Sequence, residues 1–194
     1  MGFEEIIDTI FKRNIEEHIN VIKDIRYVNI KEAALRIYDS FHKGNRLYIF
    51  GNGGSAADAQ HIVGELVGRF KLERKPLPAM SLTTNTSMLT AWSNDYDYSS
   101  IFERQVEAHT KEGDILMGIS TSGNSENVIN AFKKGKEIGT YNIALTGKTG
   151  GRLKEVSDLV LGVNSNDVAR IQEGHTLLYH TICEAIEKIM FMDK

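Results

Sequence analysis

The sequence contains little cysteine and little proline. Its single cysteine, Cys183, excludes an intramolecular disulfide and a thiolate-rich zinc finger, and it fits a reducing cytoplasm. The two prolines, Pro76 and Pro78, fall in one predicted loop, where they interrupt neither a helix nor a strand. Since no proline-rich linker divides the chain, the composition favours a single folded domain.

An excess of basic charge is also absent, and so is a long apolar run. The 23 Lys and Arg residues against 26 Asp and Glu residues give a formal charge of -3, which disfavours a protein that binds nucleic acid by neutralising phosphates. No segment approaches the roughly 20 apolar residues that span a bilayer. The acidic start Met1–Glu5 lacks the basic and apolar regions of a signal peptide. We therefore expect no nucleic-acid partner, no membrane partner and a cytoplasmic location.

The chain does contain enough apolar residues, 41% of 194, to bury the core of one domain. Apolar residues at helical spacing predict two N-terminal helices, Phe3–Ile25 and Ile30–Phe41. Five short apolar runs, separated by glycine-rich turns and helical stretches, then predict parallel strands. The expected fold class is α/β, a doubly wound, flavodoxin-like five-stranded parallel sheet with an N-terminal helical extension. The predicted strands are Leu47–Phe50, Ala79–Leu82, Asp114–Ile119, Asn142–Leu145 and Leu159–Val163, and the helices after the first strand are Ala56–Phe70, Asn85–Trp92, Glu126–Ile138, Leu153–Glu155 and Arg170–Met190.

The third predicted strand runs into a loop rich in hydroxyl groups. The segment Ser120–Ser125 carries four hydroxyl side chains and one glycine, and a predicted helix follows it. Hydroxyls, a tight glycine turn and the free N–H groups of a helix N-terminus together offer many donors to an anion. Ser125 or Asn124 could instead form an ordinary N-cap, but one cap needs only one such residue. The density of hydroxyls therefore favours a phosphate site.

The first predicted strand ends in a glycine-rich turn, Gly51–Ser55. Three glycines in four positions lose conformational entropy without a packing return unless the backbone passes close to another group. A plain strand-to-helix turn is an equally good interpretation. The segment is neither a dinucleotide fingerprint, which would need glycine at Ala56, nor a Walker loop, which would need Gly-Lys-Ser/Thr.

Polar side chains on two predicted helices have a spacing that suits a shared ligand. His61 and Glu65 are four residues apart and therefore lie about 40° apart on one helix face. The last helix carries Gln172, His175 and His180, with Gln172 and His180 two turns apart on roughly the same face. Histidine and carboxylate are ligands that zinc accepts, so the two helices could form a metal or catalytic site.

Spacing alone does not decide for such a site. Most helical His/Glu pairs at this separation are solvated surface partners. His180 shifts the balance, because an unpartnered imidazole would be costly to bury among its apolar neighbours. Those neighbours are Leu177, Leu178, Ile182 and Ile186. A further pair, Asn94 and Asp95, could bind sugar hydroxyls, but by residue type it is more typical of a turn.

Taken together, these motifs resemble the sugar isomerase (SIS) domain family, and within it the isomerases of heptose phosphates. The serine-rich loop is general to SIS domains, whereas the set of His61, Glu65, Gln172 and His180 is much more specific. The resemblance runs from the first helix to the last. It rests on Gly51–Ser55, His61, Glu65, Asn94, Asp95, Gly118–Ser125, Leu145–Gly147, Arg170–Glu173 and His180.

The resemblance implies a single SIS domain over residues 1–194, with residues 1–44 as N-terminal oligomerisation helices of a homotetramer whose active sites lie at subunit interfaces. It implies one Zn²⁺ per subunit and acid–base catalysis by Glu65 and His180. The implied zinc ligands are His61, Glu65, Gln172 and His180. The implied substrate-binding residues are Asn52, Gly53, Gly54, Ser55, Glu65, Asn94, Asp95, Ser120, Thr121, Ser122, Ser125 and Gln172, with the hydroxyl residues on the phosphate.

The implied reaction is an aldose–ketose isomerisation through an enediol or enediolate. Its substrate would be the sugar phosphate sedoheptulose 7-phosphate and its product D-glycero-D-manno-heptose 7-phosphate, the first step towards ADP- or GDP-heptose for lipopolysaccharide core or capsule. Glu65 is the expected base and His180 the expected acid. One departure is Ala169, where some members of the family have an aspartate, so a mechanism that needs a carboxylate there would not apply.

Two alternatives come from the same family. A non-catalytic SIS protein that binds the bacterial replication initiator is similar in length and in the segment Arg170–Glu173. Its members lack the acid–base pair at the positions of Glu65 and His180, which this chain keeps. An SIS isomerase of another sugar phosphate, such as an arabinose or hexulose phosphate, is also compatible with the serine-rich loop.

The apolar stripe of the first helix is long for a helix that only covers a sheet. We expect it to pack against partner subunits, the alternative being that it packs on the chain's own sheet. The stripe consists of Phe3, Ile7, Ile10, Ile15, Ile19 and Ile22.

Overall fold

The five predicted strands form one parallel sheet in the computed structural model, which describes residues 2–25 and 27–192. The predicted domain limits, Met1 and Lys194, lie outside the described residues. The strands are β1 Leu47–Gly51, β2 Ala79–Ser81, β3 Ile115–Ser120, β4 Tyr141–Thr146 and β5 Leu159–Gly162. Their order is β2-β1-β3-β4-β5, and each adjacent pair is parallel. The predicted α/β fold is confirmed.

The helices lie on both faces of the sheet, as in a doubly wound fold. They are α1 Phe3–Lys23, α2 Tyr27–His42, α3 Gly54–Val63, α4 Thr86–Asp95, α5 Ile101–His109, α6 Glu126–Ile138 and α7 Val168–Phe191. One core cluster packs α2, α3 and α7 against the sheet, and a second cluster packs α5 and α6 against the other face. α5 is absent from the sequence prediction. The described helices include none with the length and apolar character that crossing a bilayer requires.

Two predicted helices differ from the structure in kind. The predicted helix Ala56–Phe70 is α-helical only as far as Val63, and a π-helical turn, Gly64–Gly68, follows it. A π turn interrupts regular α-helical hydrogen bonding and needs partners for the carbonyls that it frees. The predicted helix Leu153–Glu155 is a 3₁₀ helix, Gly151–Val156. α7 begins two residues earlier than predicted because the Asp167 carboxylate accepts hydrogen bonds from the amides of Ala169 and Arg170 and so caps the helix.

α1 lies against α7 and leaves most of its apolar stripe in solvent. The His18 Nδ1 atom lies 2.8 Å from Glu173 Oε2, and Arg170 donates a hydrogen bond to the Asn14 carbonyl. Val21 is the one fully buried side chain among the described residues of α1. The exposed fractions are 88% for Phe3, 64% for Ile7, 43% for Ile10, 65% for Phe11, 43% for Ile15 and 38% for Ile19. The stripe therefore does not pack on the chain's own sheet.

Candidate active site

The hydroxyl-rich loop connects β3 to α6, and the Ser125 side chain does not cap that helix. Ser125 stands at the N-cap position of α6 but forms no capping hydrogen bond through its side chain. Its hydroxyl lies instead 2.9 Å from the Ser120 hydroxyl, and Asn124 donates to the Ser122 carbonyl. The first amides of α6 are thus left for another acceptor, and hydroxyl groups surround them. This is the geometry of an anion site at a helix N-terminus.

The loop is held in shape by a second loop that follows β4. Gly123 has a φ of +66°, and a Cβ atom there would collide with the Gly150 carbonyl oxygen. The Gly123 carbonyl accepts a hydrogen bond of 2.8 Å from the Leu153 amide, and the Thr121 carbonyl accepts one of 3.0 Å from the Gly147 amide. Thr121 is half-buried, whereas Ser122 faces solvent. The conformation of the hydroxyl-rich loop therefore depends on glycines far away in the sequence.

The glycine turn between β1 and α3 combines a close approach with a special backbone conformation. A Cβ atom at Gly51 would lie 2.7 Å from the Ile119 carbonyl oxygen, so β1 and β3 end close together. Gly53 has a φ of +55°, which glycine adopts at no steric cost. The two sequence interpretations of this turn, close approach and tight turn, are therefore both correct.

Asn52 is fixed by partners that the sequence prediction does not include. Its amide exchanges two hydrogen bonds of 2.9 Å with the Asn127 amide, and its Oδ1 accepts a third, of 2.8 Å, from the Tyr98 hydroxyl. Asn127 lies in the first turn of α6, directly after the hydroxyl-rich loop. This amide pair connects the glycine turn to that loop at the carboxyl edge of the sheet, where ligands bind in open α/β sheets.

His61, Glu65 and His180 form a cluster at the other end of α3, which we call the His–Glu–His triad. One ligand atom of each lies within 4.8 Å of the others, and His61 Nε2 lies 3.0 Å from Glu65 Oε1. The His180 ring stacks on Phe70 and meets the His61 ring edge-on, with centroids 5.0 Å apart. Two imidazoles and a carboxylate suit a zinc-like divalent cation or proton transfer.

His180 is half-buried, and its ring has partners in the triad. Burial lowers the pKa of His180 below its usual value, and the nearby His61 lowers it further.

The fully buried histidine of α7 is His175, whose Nε2 lies 3.1 Å from the Thr146 carbonyl oxygen. Burial lowers the pKa of His175 to about 4 despite that hydrogen bond. His175 therefore stays neutral and does not join the triad.

The position of Glu65 depends on a buried ion pair. Arg74 donates hydrogen bonds of 2.7 Å to the carbonyls of Glu65 and Leu66, which belong to the π-helical turn. The same guanidinium lies 3.0 Å from the carboxylate of Glu187 on α7. Arg74 thus satisfies the carbonyls that the turn frees, and it ties the segment of Glu65 to the helix of His180.

Gln172 lies away from the triad, beside the glycine turn. A Cβ atom at Gly54 would collide with its side-chain amide nitrogen. Gln172 precedes His180 by eight residues of α7, which is about 12 Å along a helix axis. Within one chain, three of the four residues expected to bind zinc come together, and Gln172 lies next to residues expected to contact the sugar.

Asn94 and Asp95 close the last turn of α4, which extends to Asp95 and not to Trp92. Both side chains are exposed, and the Asn94 amide donates a hydrogen bond of 2.9 Å to the Asp95 carboxylate. No hydrogen bond in the described part of the chain joins either side chain to the hydroxyl-rich loop or the triad. The preference for a turn at these residues is wrong, and their expected contact with sugar stays a prediction.

The fold and these features define a SIS domain protein, and comparison with known families agrees, because the SIS domain model matches residues 10–147. A phosphoheptose isomerase from Clostridium acetobutylicum is 48% identical over 192 residues, 98% of each chain, and one from Aquifex aeolicus is 47% identical over 186 residues, 96% of this chain and 97% of the relative. The chain belongs to the phosphoheptose isomerase family.

Solved structures give the same relationship. The structure of a phosphoheptose isomerase from Francisella tularensis matches with a TM-score of 0.90 at 36% identity, over 97% of this chain and 100% of that one. The structure of a phosphoheptose isomerase from Neisseria gonorrhoeae matches with a TM-score of 0.88 at 39% identity, over 96% of this chain and 100% of that one. The N-terminal helices are therefore part of the shared architecture.

Proposed function

We propose that this chain is an isomerase that converts sedoheptulose 7-phosphate into D-glycero-D-manno-heptose 7-phosphate, the first step towards nucleotide-activated heptose for lipopolysaccharide core or capsule. The observation that carries the proposal is the triad, in which the Glu65 carboxylate and the His180 imidazole lie within 4.8 Å of each other. A carboxylate and an imidazole are sufficient to move a proton between neighbouring carbons. Membership of the phosphoheptose isomerase family supports the same reaction.

Glu65 is the proposed base and His180 the proposed acid. Glu65 takes the proton from the carbon next to the substrate carbonyl, and His180 gives a proton to the carbonyl oxygen, which forms the enediol. Glu65 then returns its proton to the former carbonyl carbon, and His180 takes back a proton from the hydroxyl of the neighbouring carbon, which becomes the aldehyde. Because burial and the nearby His61 lower the pKa of His180, its ring is mostly neutral near pH 7, and the proton that it gives is that of its ring N–H. Each proton transfer typically contributes 10²- to 10⁴-fold to the rate.

The proposed phosphate ligands are Ser120, Thr121, Ser122 and Ser125. The paired hydroxyls of Ser120 and Ser125 can each turn towards a phosphate oxygen, and the amides at the start of α6 complete the donor set. The proposed sugar contacts are Asn52, Gly53, Gly54, Ser55, Asn94, Asp95 and Gln172. Of these, Asn52 and Gln172 lie at the glycine turn, next to the hydroxyl-rich loop.

We also propose one Zn²⁺ per subunit, held by His61, Glu65 and His180. Because Gln172 lies away from the triad within one chain, it could serve as the proposed fourth ligand only in a site assembled from two subunits. When bound there, Zn²⁺ supplies Lewis-acid polarisation of the substrate carbonyl. The donor set fits, because His61 Nε2 and Glu65 Oε1 face each other at 3.0 Å and both atoms bind zinc well. A site without thiolates and with one neutral amide should hold zinc less tightly than a structural site.

A homotetramer with active sites between subunits completes the proposal. Glu65 follows Gly54 by eleven residues, about 16 Å of helix, so the triad and the glycine turn belong to opposite ends of α3. The distance between the glycine turn and the triad exceeds the length of a side chain. Residues of the two groups therefore do not meet within one chain, which supports a site assembled from two chains. The exposed apolar stripe of α1 supplies a surface for such assembly. A cytoplasmic location agrees with the single buried thiol of Cys183.

The test is to incubate the protein with sedoheptulose 7-phosphate and follow the aldoheptose 7-phosphate by NMR. Glu65→Gln and His180→Gln should each lower turnover at least about 100-fold. The matched controls, Glu107→Gln and His109→Gln, replace exposed residues of α5 on the opposite face of the sheet and should leave turnover unchanged. Near-normal turnover in both triad variants would refute the assignment.

Two further measurements separate the alternatives. Removal of metal by a chelator should lower the rate without unfolding the protein, and full activity of the metal-free protein would contradict the zinc proposal. The same assay with an arabinose phosphate and a hexulose phosphate tests whether another sugar phosphate is the preferred substrate. The non-catalytic alternative is not favoured, because Glu65 and His180 are both present and adjacent.

A further inference from the structure

The side-chain amide of Asn52 has one hydrogen left for a ligand. An amide oxygen has two lone pairs, and an amide nitrogen has two hydrogens. Asn52 Oδ1 accepts a hydrogen bond of 2.9 Å from Asn127 and one of 2.8 Å from the Tyr98 hydroxyl, so both lone pairs are occupied. Asn52 Nδ2 donates one hydrogen to Asn127 Oδ1 at 2.9 Å. The second hydrogen has no partner among the described residues, and the half-buried Asn52 can therefore donate it to a ligand.

The partners of Asn52 decide whether its amide donates to a ligand or accepts from it. An amide that is free to turn can present either its oxygen or its nitrogen to the same group. Asn52 stands between Gly51 and Gly53, which have no side chains to hold it. In the structure the Tyr98 hydroxyl donates to Oδ1 and so keeps the nitrogen on the side away from Tyr98. The oxygen is then not available to a ligand, and Asn52 acts as a donor only.

Both partners of Asn52 are held by α6. Asn127 lies in the first turn of this helix and is buried. The Tyr98 side chain is 56% exposed, but its backbone belongs to a short 3₁₀ helix between α4 and α5 that α6 anchors. The anchor is a hydrogen bond of 3.2 Å from the Asn130 side chain to the Ser99 carbonyl. The helix that begins at the proposed phosphate site thus also positions the two side chains that orient Asn52.

We propose that Tyr98 and Asn127 are positioning residues that orient the Asn52 amide to donate a hydrogen bond to an oxygen atom of the sugar. A sugar oxygen is the expected acceptor, because the phosphate already has the hydroxyls of the hydroxyl-rich loop and the first amides of α6. The proposal rests on the proposed function, which places a sugar phosphate at the glycine turn and that loop. It assigns Asn52 the role of donor and Tyr98 the role of setting that preference.

The first test measures the affinity for sedoheptulose 7-phosphate by calorimetry. All proteins in this test carry Glu65→Gln, so that the sugar is not turned over during the measurement. Tyr98→Phe keeps the ring and removes only the hydroxyl, which leaves the Asn52 amide free to turn. The loss of one hydrogen bond typically weakens binding by about 3- to 10-fold, and we expect a loss of this size. Unchanged affinity in Tyr98→Phe would overturn the proposal.

Two controls accompany this measurement. Tyr96→Phe removes the hydroxyl of an exposed tyrosine that stacks on Trp92 and has no side-chain hydrogen bond within the described residues, so the affinity should not change. Inorganic phosphate is a second probe, and its affinity should be the same with and without Tyr98→Phe. An equal loss of affinity for inorganic phosphate and for the sugar phosphate would contradict the proposal, because it would place the effect at the phosphate site.

The second test asks whether Tyr98 and Asn127 act through Asn52. Asn52→Ala removes the donor and should weaken binding of the sugar phosphate. Adding either Tyr98→Phe or Asn127→Ala to Asn52→Ala should cause no further loss, because the effects of coupled residues do not add. A further loss as large as that of Tyr98→Phe alone would show that Tyr98 contacts the ligand itself, and it would refute the positioning role.

Turnover separates this proposal from the proposed function. With Glu65 intact, Tyr98→Phe should raise KM by about 3- to 10-fold and change kcat by less than about twofold, because bound substrate and transition state lose the hydrogen bond equally. A fall in kcat with an unchanged KM would contradict the proposal. A protein whose affinity for sedoheptulose 7-phosphate depends on Tyr98, but which does not isomerise it, would refute the proposed function alone. An active isomerase with unchanged affinity in Tyr98→Phe would refute the role of Tyr98 alone.

Discussion

Arg74 and Glu187 form an ion pair with an Nε–Oε1 distance of 3.0 Å, and both side chains are 1% exposed. The Glu187 carboxylate also accepts hydrogen bonds of 2.8 to 3.1 Å from three consecutive backbone amides, those of Phe70, Lys71 and Leu72. Burial opposes the ionisation of Glu187, but these amides and Arg74 together lower its pKa. The pair therefore fixes the turn that carries Glu65 relative to the helix that carries His180.

Glu187→Gln should destabilise the protein by about 3–5 kcal/mol, because it leaves the buried Arg74 charge without its partner. Denaturant unfolding measures this change.

Arg74→Lys keeps the positive charge but loses the guanidinium group that donates to the Glu65 carbonyl. We expect kcat to fall by about 10- to 100-fold, because Glu65 is displaced. Arg104→Lys, in the exposed pair with Glu107, is the control and should change neither quantity. An Arg74→Lys enzyme with normal kcat would show that the pair only stabilises the fold.

Gly123→Ala should weaken binding of the substrate phosphate. The new methyl group would collide with the Gly150 carbonyl and push apart the two loops that shape the anion site. Gly44→Ala is a matched control, because Gly44 has a similar φ of +78° but open space around its Cα. The left-handed backbone should cost each variant roughly 1–2 kcal/mol of stability. Gly123→Ala should lose more than Gly44→Ala, because it adds the collision with Gly150. Only Gly123→Ala should raise KM, by at least about 10-fold; equal KM values would contradict the role of this loop.

His175 should make stability depend on pH. The folded protein holds this buried histidine neutral with a pKa of about 4, whereas the unfolded chain binds the proton near pH 6.5. Stability is therefore fully present above about pH 6.5 and falls by roughly 3 kcal/mol as the pH drops towards 4. Unfolding by urea across this range tests the slope. His175→Gln keeps a donor for Thr146 and should flatten the slope, whereas His109→Gln should not.

The apolar stripe of α1 should mediate self-association. Ile7→Glu combined with Phe11→Glu places two charges on exposed apolar positions of α1, and light scattering should then report a smaller particle than it reports for the wild-type protein. The contacts of α1 with α7, which involve Asn14 and His18, are left intact. Thr9→Glu adds charge at an exposed position of the same helix and serves as the control. A wild-type protein that is monomeric would contradict the assembly.

The sheet and most helices could be predicted because their signals are local. β1 is buried at all five positions, and its apolar run in the sequence begins at the same residue, Leu47. α6 has the predicted bounds, and Gly139, with a φ of +96°, ends it. α5 was missed because its buried apolar side consists only of Ile101, Phe102 and Val106, a short stripe in a charged segment.

The site was predictable only in part. The spacing of His61 and Glu65 and the hydroxyl-rich loop are visible in the sequence, and the structure has both. The π-helical turn could not be predicted, because it depends on Arg74 and on Glu187, which lies 113 residues further along the chain. Tyr98 lies in a segment for which the sequence predicts no helix or strand, and nothing in the sequence distinguishes its hydroxyl. Local residue patterns do not reveal contacts between segments that are distant in the sequence.

A ligand that binds both Ser120 and Ser125 must replace the hydrogen bond between their hydroxyl groups. A neutral sugar hydroxyl offers each serine no more than the bond it already has. A phosphate group offers charged oxygens, whose hydrogen bonds are roughly twice as strong as those between neutral groups. We therefore expect the proposed phosphate site to discriminate against unphosphorylated sugars, even where they outnumber the phosphorylated ketose, before any carbon atom reaches the proposed catalytic groups.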